Sequence, residues 1–330
     1  MKTATPTLTR RRLMLAAASV SATTLPTLGF AQEYPSKPIK FVVPVSAGTG
    51  TDLIVRFLAN GLQTLWRTTT VVDNRVGASG VIGTDVVAKS APDGYTLLAT
   101  YAVHYSNPWA MDKVPYEAVK DFVPVGAFAN SALSLIVPTD SPFKSVQDLI
   151  DAAKKNPGMY TYGTAGVGST GHVCASLFTS LTGVNLRHVP YKSAAQPVVD
   201  TAGGQVHMSF AGTSSSIGLV KAGKLRVLAT TGRKRSAILP DTPTMQEAGV
   251  KGYEVSSPVW IMAPAGTPDA IVNKLSAAML TYARLPEFKD LCTAQGLDVD
   301  LEDAATARKK APAEFQKWKN LVALTGANKG

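Results

Sequence analysis

The feature that most constrains this chain is a repeated alternation. Short apolar runs, each about one strand long, give way to amphipathic stretches with apolar residues at helical spacing. Ile39–Val43 reads as a buried strand and Asp52–Leu65 as a helix. Thr70–Val72 and Val81–Ala88 repeat the pair, and Tyr95–Ala99 is a third strand. That order marks an α/β protein, in which helices cover the faces of a sheet. After the apolar runs Phe122–Phe128 and Leu133–Val137 the rhythm restarts. Ser145–Lys155 reads as a helix ended by Asn156-Pro157-Gly158, then strand Tyr160–Tyr162, helix Val173–Leu181 and strand Leu186–Val189 follow. Val206–Phe210, Leu225–Ala229 and Val259–Met262 read as further strands. The stretch from Asp269 onward is helix-rich, with Pro286 in a first turn and Gly296 at an end. The restart predicts two lobes: residues 32–132 begin the first, 133–253 form the second, and 254–330 return to the first with C-terminal helices. Two crossings between lobes make a hinge, with a ligand cleft between them.

Residues 1–31 read as a cleavable export signal. Arg10-Arg11-Arg12 precedes an apolar run from Leu13 to about Val20, and Gly29-Phe30-Ala31 supplies small residues for a cut. Thr9-Arg10-Arg11 with Leu13-Met14 also fits a twin-arginine signal. The run is shorter than the ~20 apolar residues that span a bilayer. A periplasmic location is therefore expected.

Apolar residues make up 45% and charged residues 17% of the chain, enough for a packed core. The net charge of +10 falls to about +6 without Lys2, Arg10, Arg11 and Arg12. The densest remaining basic clusters, Arg233-Lys234-Arg235 and Arg308-Lys309-Lys310, are not interleaved with aromatics, which argues against nucleic acid as a partner. His104, His172, His188 and His207 lack metal-ligand spacing, so no metal is expected. Cys174 and Cys292 fall in helical patterns assigned to different lobes and read as two free thiols.

Two strand–loop–helix junctions are unusually small and polar. One is Pro44-Val45-Ser46-Ala47-Gly48-Thr49-Gly50-Thr51-Asp52. The other is Gly163-Thr164-Ala165-Gly166-Val167-Gly168-Ser169-Thr170-Gly171-His172. Glycine lets backbone approach a ligand, a helix start favours an anion, and hydroxyls add donors. Neither loop carries Lys or Arg, which suits a carboxylate held by neutral donors. Each loop alone also fits a plain helix cap, at Thr51 or Asp52 and at Ser169 or Thr170. One such loop in each lobe favours binding. Gly166-Val167-Gly168-Ser169-Thr170-Gly171 formally matches the dinucleotide fingerprint, but no acid follows where the ribose would need one. There is no Gly-Lys-Ser/Thr phosphate loop and no Gly-x-Ser-x-Gly elbow. Neither an enzyme nor a bound cofactor is expected.

Eight short segments, in order, carry a family resemblance: Tyr34-Pro35-Ser36-Lys37-Pro38-Ile39, Gly50-Thr51-Asp52, Val72-Asp73-Asn74-Arg75 with Gly77 and Gly80, Ala91-Pro92-Asp93-Gly94-Tyr95-Thr96-Leu97-Leu98, Val189-Pro190-Tyr191-Lys192, Gly203-Gly204-Gln205-Val206, Leu239-Pro240-Asp241-Thr242-Pro243-Thr244 and Ala263-Pro264-Ala265-Gly266-Thr267-Pro268. With these the chain resembles the substrate-binding proteins of tripartite tricarboxylate transporters, the Bug receptors. The resemblance implies a two-lobed, type II-like periplasmic binding fold, a monomer, and a permease partner with a large and a small subunit. It implies a di- or tricarboxylate or an aromatic acid as ligand. As binding residues it implies Ser46, Ala47, Gly48, Thr49, Gly50 and Thr51, then Ala165, Gly166, Gly168, Ser169, Thr170 and His172, with Tyr191, Gly212 and Thr213. The chain departs from the family at Ala211-Gly212-Thr213-Ser214, where an Asp is common, and this weakens the case for an amino acid ligand. Tyr101 and His104, in an aromatic segment after the third strand, are candidates either to pack on an aromatic acid or to form plain cleft wall. The rival readings are a carboxylate sensor and an enzyme on a related fold.

Overall fold

Ile39, Phe41, Val42 and Val43 are all fully buried, because strand β1 (Ile39–Val43) lies inside a sheet covered on both faces. The computed structural model describes residues 34–326. The export-signal expectations for residues 1–31 therefore lie outside the described residues, and the folded body begins at Lys37. Helix α1 (Gly50–Trp66) follows β1 and buries Ile54, Val55, Leu58, Ala59 and Leu62 on one stripe. Strand β2 (Thr70–Asn74) pairs parallel with β1. Next come α2 (Val81–Ala88), β3 (Thr96–Thr100) and α3 (Val103–Ala110), with β3 also parallel to β1.

The first crossing between lobes is made within one strand, β4 (Phe122–Pro138), of 17 residues. The sequence reading divided it in two, because Ala129-Asn130-Ser131-Ala132 is small and polar. Those residues instead continue the ladder against Ser256–Val259 of β9 (Ser256–Pro264). The first part of β4 belongs to a sheet ordered β2-β1-β3-β9-β4, with β10 (Asp298–Glu302) also on β4. From Leu133 onward, β4 pairs with β7 (Met208–Gly212) and β8 (Leu225–Thr230), and the second sheet runs on through β5 (Thr161–Thr164) to β6 (Arg187–Pro190). Helices α4 (Val146–Lys155), α5 (Thr170–Thr182), α6 (Gln196–Ala202) and α7 (Thr213–Lys221) belong to this half. α8 (Asp269–Ala283), α9 (Pro286–Ala294) and α10 (Ala304–Ala323) complete the chain after β9. The fold is α/β and two-lobed.

Thr231 ties the crossing segments together. Its N–H donates to the Leu133 carbonyl at 2.8 Å, and its hydroxyl accepts from the Leu133 N–H at 2.9 Å and donates to the Val255 carbonyl at 2.7 Å. Small buried hydroxyl residues surround it, with the Ser257 hydroxyl accepting from the Ala102 N–H and the Thr213 hydroxyl donating to the Ala132 carbonyl. A hinge needs backbone partners that survive a change of angle, and short side chains supply them without bulk.

Several elements escape the sequence pattern. α3 carries Asn107-Pro108, a breaker pair, yet it is helical because Tyr105 is buried edge-on against Trp260, ring centroids 6.0 Å apart. Cys174 and Cys292 are free and buried, and burial pushes each thiol up to about 12.

His104 is corrected from a cleft residue to a core residue. It is 0% exposed, its Nε2 lies 2.8 Å from the Ala118 carbonyl, and its ring is stacked on Tyr116 and edge-on to Phe122. Nε2 must carry the proton to donate to that carbonyl, and Nδ1 is buried without a partner for a second proton, so the ring is neutral. Burial lowers its pKa to about 4. Protonation is therefore favoured in the unfolded chain. The stability this neutral ring contributes is present above the unfolded value near 6.5 and is lost as pH falls through 4, by up to roughly 3 kcal/mol. Proton NMR should find the His104 ring still neutral at pH 5.5; a ring titrating near 6.5 would contradict its burial.

Candidate functional site

Seven of the elements described above converge on one cavity of about 580 Å³. The second lobe lines it with the β5–α5 loop, through Thr164, Ala165, Val167, Gly168, Ser169, Thr170 and Gly171, and with Phe210, Ala211 and Gly212 at the end of β7. The first lobe lines it with Ser79, Tyr101 and one face of α3, and Trp318 of α10 adds to the wall. No Asp, Glu, Lys, Arg or His is among the lining residues. The cavity lies off the carboxyl ends of β5 and β7, where open α/β sheets place ligands.

The β5–α5 loop is held by its own polar groups. The Ser169 hydroxyl donates to the Gly166 carbonyl at 2.7 Å and accepts from the His172 N–H, so it caps α5. Its hydroxyl is thus spent on the loop, and what the loop offers a ligand is backbone N–H and the Thr170 side chain. His172 Nδ1 accepts from the Gly168 N–H at 3.1 Å, which fixes the tautomer with the proton on Nε2. The ring is stacked on His188 at 4.2 Å, and His188 is stacked on Tyr162 at 4.9 Å. Burial and the adjacent His188 lower the His172 pKa to about 4. His172 acts behind the loop, as a brace, rather than on the cavity wall. Gly166 and Gly168 have φ of 103° and 77°, a conformation open to glycine and costly for other residues.

The expected residues of the second lobe and Tyr101 separate into three groups. Tyr101, Ala165, Gly168, Ser169, Thr170 and Gly212 line the cavity. Gly166 and His172 shape the loop. Thr213 is buried against Ser134 and the Ala132 carbonyl, and the Tyr191 hydroxyl donates to Asp200 at 2.8 Å. Neither of these two lines the cavity.

The first loop, Ser46 to Thr51, also lies off the cavity wall. Its helix cap is Thr49, whose hydroxyl accepts from the Asp52 N–H, rather than Thr51 or Asp52. Asp52 instead receives the Gly48 N–H at 2.8 Å, Arg56 Nε at 2.9 Å and Asn74 Nδ2 at 2.9 Å. Burial raises its carboxyl, but these donors outweigh it and hold the pKa below the usual range. The segments Gly50-Thr51-Asp52 and Val72-Asp73-Asn74-Arg75 are therefore joined as a structural brace for this loop. The loop adjoins the cavity only indirectly: Pro44, at its start, packs where a side chain on Gly80 would sit, next to Ser79.

Residues that the sequence reading passed over include Ser79, Ser106, Asn107, Ala110, Met111 and Trp318. The Gly77 and Gly80 pair was a visible signal for a special turn at Ser79. Nothing in the local pattern points to Trp318, which reaches the cavity from a helix more than 200 residues later in the chain.

Comparison with known proteins follows the same outline. Residues 54–326 match the family described as tripartite tricarboxylate transporter family receptor. The protein BugT of Bordetella pertussis is 34% identical over 302 residues, covering 90% of this chain and 92% of its own. The solved periplasmic binding protein BugD is 32% identical with a TM-score of 0.71, covering 90% of this chain and all of that one. An R. palustris protein solved with adipate is 33% identical with a TM-score of 0.74, covering 89% of this chain and 99% of that one.

Proposed function

The chain belongs to the tripartite tricarboxylate transporter receptor family, and we propose that it works as a periplasmic solute receptor, capturing a small carboxylate between its lobes and handing it to a membrane permease with a large and a small subunit. The observation that carries this reading is the meeting of the α5 start and the α7 N-cap on one uncharged cavity. The first turn of α5, from Thr170, lines the space, and α7 reaches it through its N-cap, Gly212, which has no side chain. Helix starts present unpaired N–H groups and a partial positive charge, which favour an anion. A wall without cations suits a carboxylate held by neutral donors and water. The adipate in the R. palustris relative supports a carboxylate here.

Binding rather than catalysis is supported by how the polar groups are used. The Ser169 hydroxyl donates to a backbone carbonyl and the His172 Nδ1 accepts a backbone N–H, so the pair is not arranged as nucleophile and base. Closure takes place about the crossings at 132–133 and 254–256, carrying the first loop toward the ligand. The protein acts as a monomer, exported by its N-terminal segment, without metal or cofactor.

A thermal-shift screen of carboxylates on the mature protein tests this. An acid at a hundred times its dissociation constant should add about 2.7 kcal/mol of stability. Its methyl ester and primary amide should shift the protein little, because both remove the charge that the helix starts favour. An ester as effective as its acid, or no response to any carboxylate, would refute the proposal.

A further inference from the structure

The residues lining the cavity carry no charge, but two histidines stand directly behind them. Thr164 lines the cavity, and its hydroxyl lies 2.6 Å from His188 Nε2. The same hydroxyl donates to the Gly166 carbonyl and accepts from the Gly166 N–H, both at 3.2 Å. These partners fill its one donor and two acceptor positions when His188 Nε2 carries a proton. Gly168, at the next corner of the loop, gives its N–H to His172 Nδ1 at 3.1 Å. The two imidazole rings are stacked, 4.2 Å apart and within 11° of parallel. Both corners of the β5–α5 loop are thus held from behind by one histidine pair.

The pair accommodates one added proton, and on one ring only. His172 Nδ1 accepts an N–H, so protonating it would set two donors against each other. Two charged rings at this separation would also repel. On His188, Nε2 serves as a donor and Nδ1 takes the added proton with the Thr164 bond kept. Burial holds the half-buried His188 ring below its ordinary value of 6.5, and burial with the adjacent His188 holds His172 near 4.

The elements around His188 bring no fixed charge to its face of the sheet. Tyr162 of β5 is in register with His188 and stacked on it at 4.9 Å, and burial raises its hydroxyl to about 12. α5 has no Asp, Glu, Lys or Arg, and its Cys174 is a buried thiol. Arg187 is the neighbour of His188 on β6, so it points to the opposite face, where it acts on His207. α6 packs on that opposite face too, because a side chain on Gly163 would meet Pro197. Asp200 of α6 accepts there from the Tyr191 hydroxyl and the Gln196 amide. Lys192 lies past the end of β6 and is exposed.

We infer that His188 is a removable cation of the ligand site: capture of a carboxylate on the β5–α5 loop draws one proton onto His188, and that charge, behind the loop N–H groups, helps to hold the anion. The inference rests on the receptor reading above and adds a proton to what is captured. An anion in front of the loop favours the charged ring, so the pKa of His188 is higher with ligand than without. Binding therefore tightens as pH falls through the bound value and levels off below the free value.

Calorimetry on the mature protein tests it, with adipate, succinate, malate and benzoate as probes. A probe that binds should take up a fraction of a proton at pH 6.5, read from the heats in two buffers of different ionisation enthalpy. Carboxylates are themselves largely ionised at that pH. Affinity should rise several-fold from pH 8 to pH 6. His188→Gln keeps an N–H for Thr164 but cannot hold the charge, so it should remove the uptake and flatten the profile. His207→Gln, on the opposite face, should leave both as in the wild type. Ring NMR of the bound protein should find His188 charged and His172 neutral. Binding without proton uptake, uptake that persists in His188→Gln or vanishes in His207→Gln, or a charged His172 overturns this inference and leaves the receptor reading standing. Failure of every probe to bind at either pH overturns both.

Discussion

Trp260→Ala should lower the unfolding free energy by about 3–5 kcal/mol, the usual cost of removing a fully buried Trp. Trp260 is 1% exposed on β9, where it is in register with Thr100 of β3 on one side and Ala127 of β4 on the other. Its ring meets Tyr105 of α3 at 90°. Removing it leaves a void that close-packed neighbours fill only in part. The loss is a large fraction of the 5–15 kcal/mol typical of folded proteins and should lower the melting temperature on the order of ten degrees. Urea unfolding with an unchanged slope would assign the effect to stability alone. The same change should weaken ligand binding, because α3 packs on Trp260 with one face and lines the cavity with the other. A loss under about 1 kcal/mol would mean that β9 is not the strand joining β3 to β4.

The parts of the fold legible in sequence are those whose burial follows a single local period. β1 is a run of buried β-branched and aromatic residues, and α1 has one apolar stripe; both stand where the pattern puts them. β4 defeated the pattern because its middle is chosen for a crossing rather than for burial. Ala129 to Ala132 are small so that two sheets can share one strand, and small polar residues read as loop. α3 was hidden for a related reason: Pro108 opposes a helix locally, while the packing of Tyr105 and His104 on Trp260, Tyr116 and Phe122 decides the outcome through contacts far apart in sequence. His104 shows the limit most plainly. An aromatic segment after a strand fits a cleft wall or a core equally well, and only the fold shows that the ring turns inward.

The same holds at the candidate site. The β5–α5 loop was readable because glycines, hydroxyls and a helix start coincide within ten residues. The Asp52 brace was not, since one of its donors, Asn74, lies 22 residues away on β2. Small polar residues near a helix start can therefore do either of two jobs. Asp52 and Asn74 hold a loop in shape, whereas Gly168, Thr170 and Gly212 border the space where a ligand fits.

Gly171→Ala should remove most ligand affinity while leaving the protein folded. Gly171 is the second residue of α5 and lies on the cavity wall. A Cβ at this position would fall 2.8 Å from the Phe210 carbonyl of β7, a backbone atom with no freedom to move aside. The helix start must then shift away from β7, at a cost of about 1–3 kcal/mol in stability. The shift also moves the N–H groups of the β5–α5 loop, the donors proposed to hold the carboxylate. Losing one or two bonds to a charged group, at roughly 1.5–3 kcal/mol each, corresponds to a fall in affinity of at least tenfold. Gly171→Val, with two further methyl groups, should do more on both counts. Gly183, at the far end of the same helix, supplies the control. It has φ of 70° with no atom near its missing Cβ, so Gly183→Ala should cost stability through backbone strain alone and leave affinity unchanged. Calorimetry on the two variants, using an acid identified by the thermal-shift screen, separates a displaced helix start from a general loss of stability. Equal loss of affinity in both variants, or none in Gly171→Ala, would remove the α5 start from the binding site.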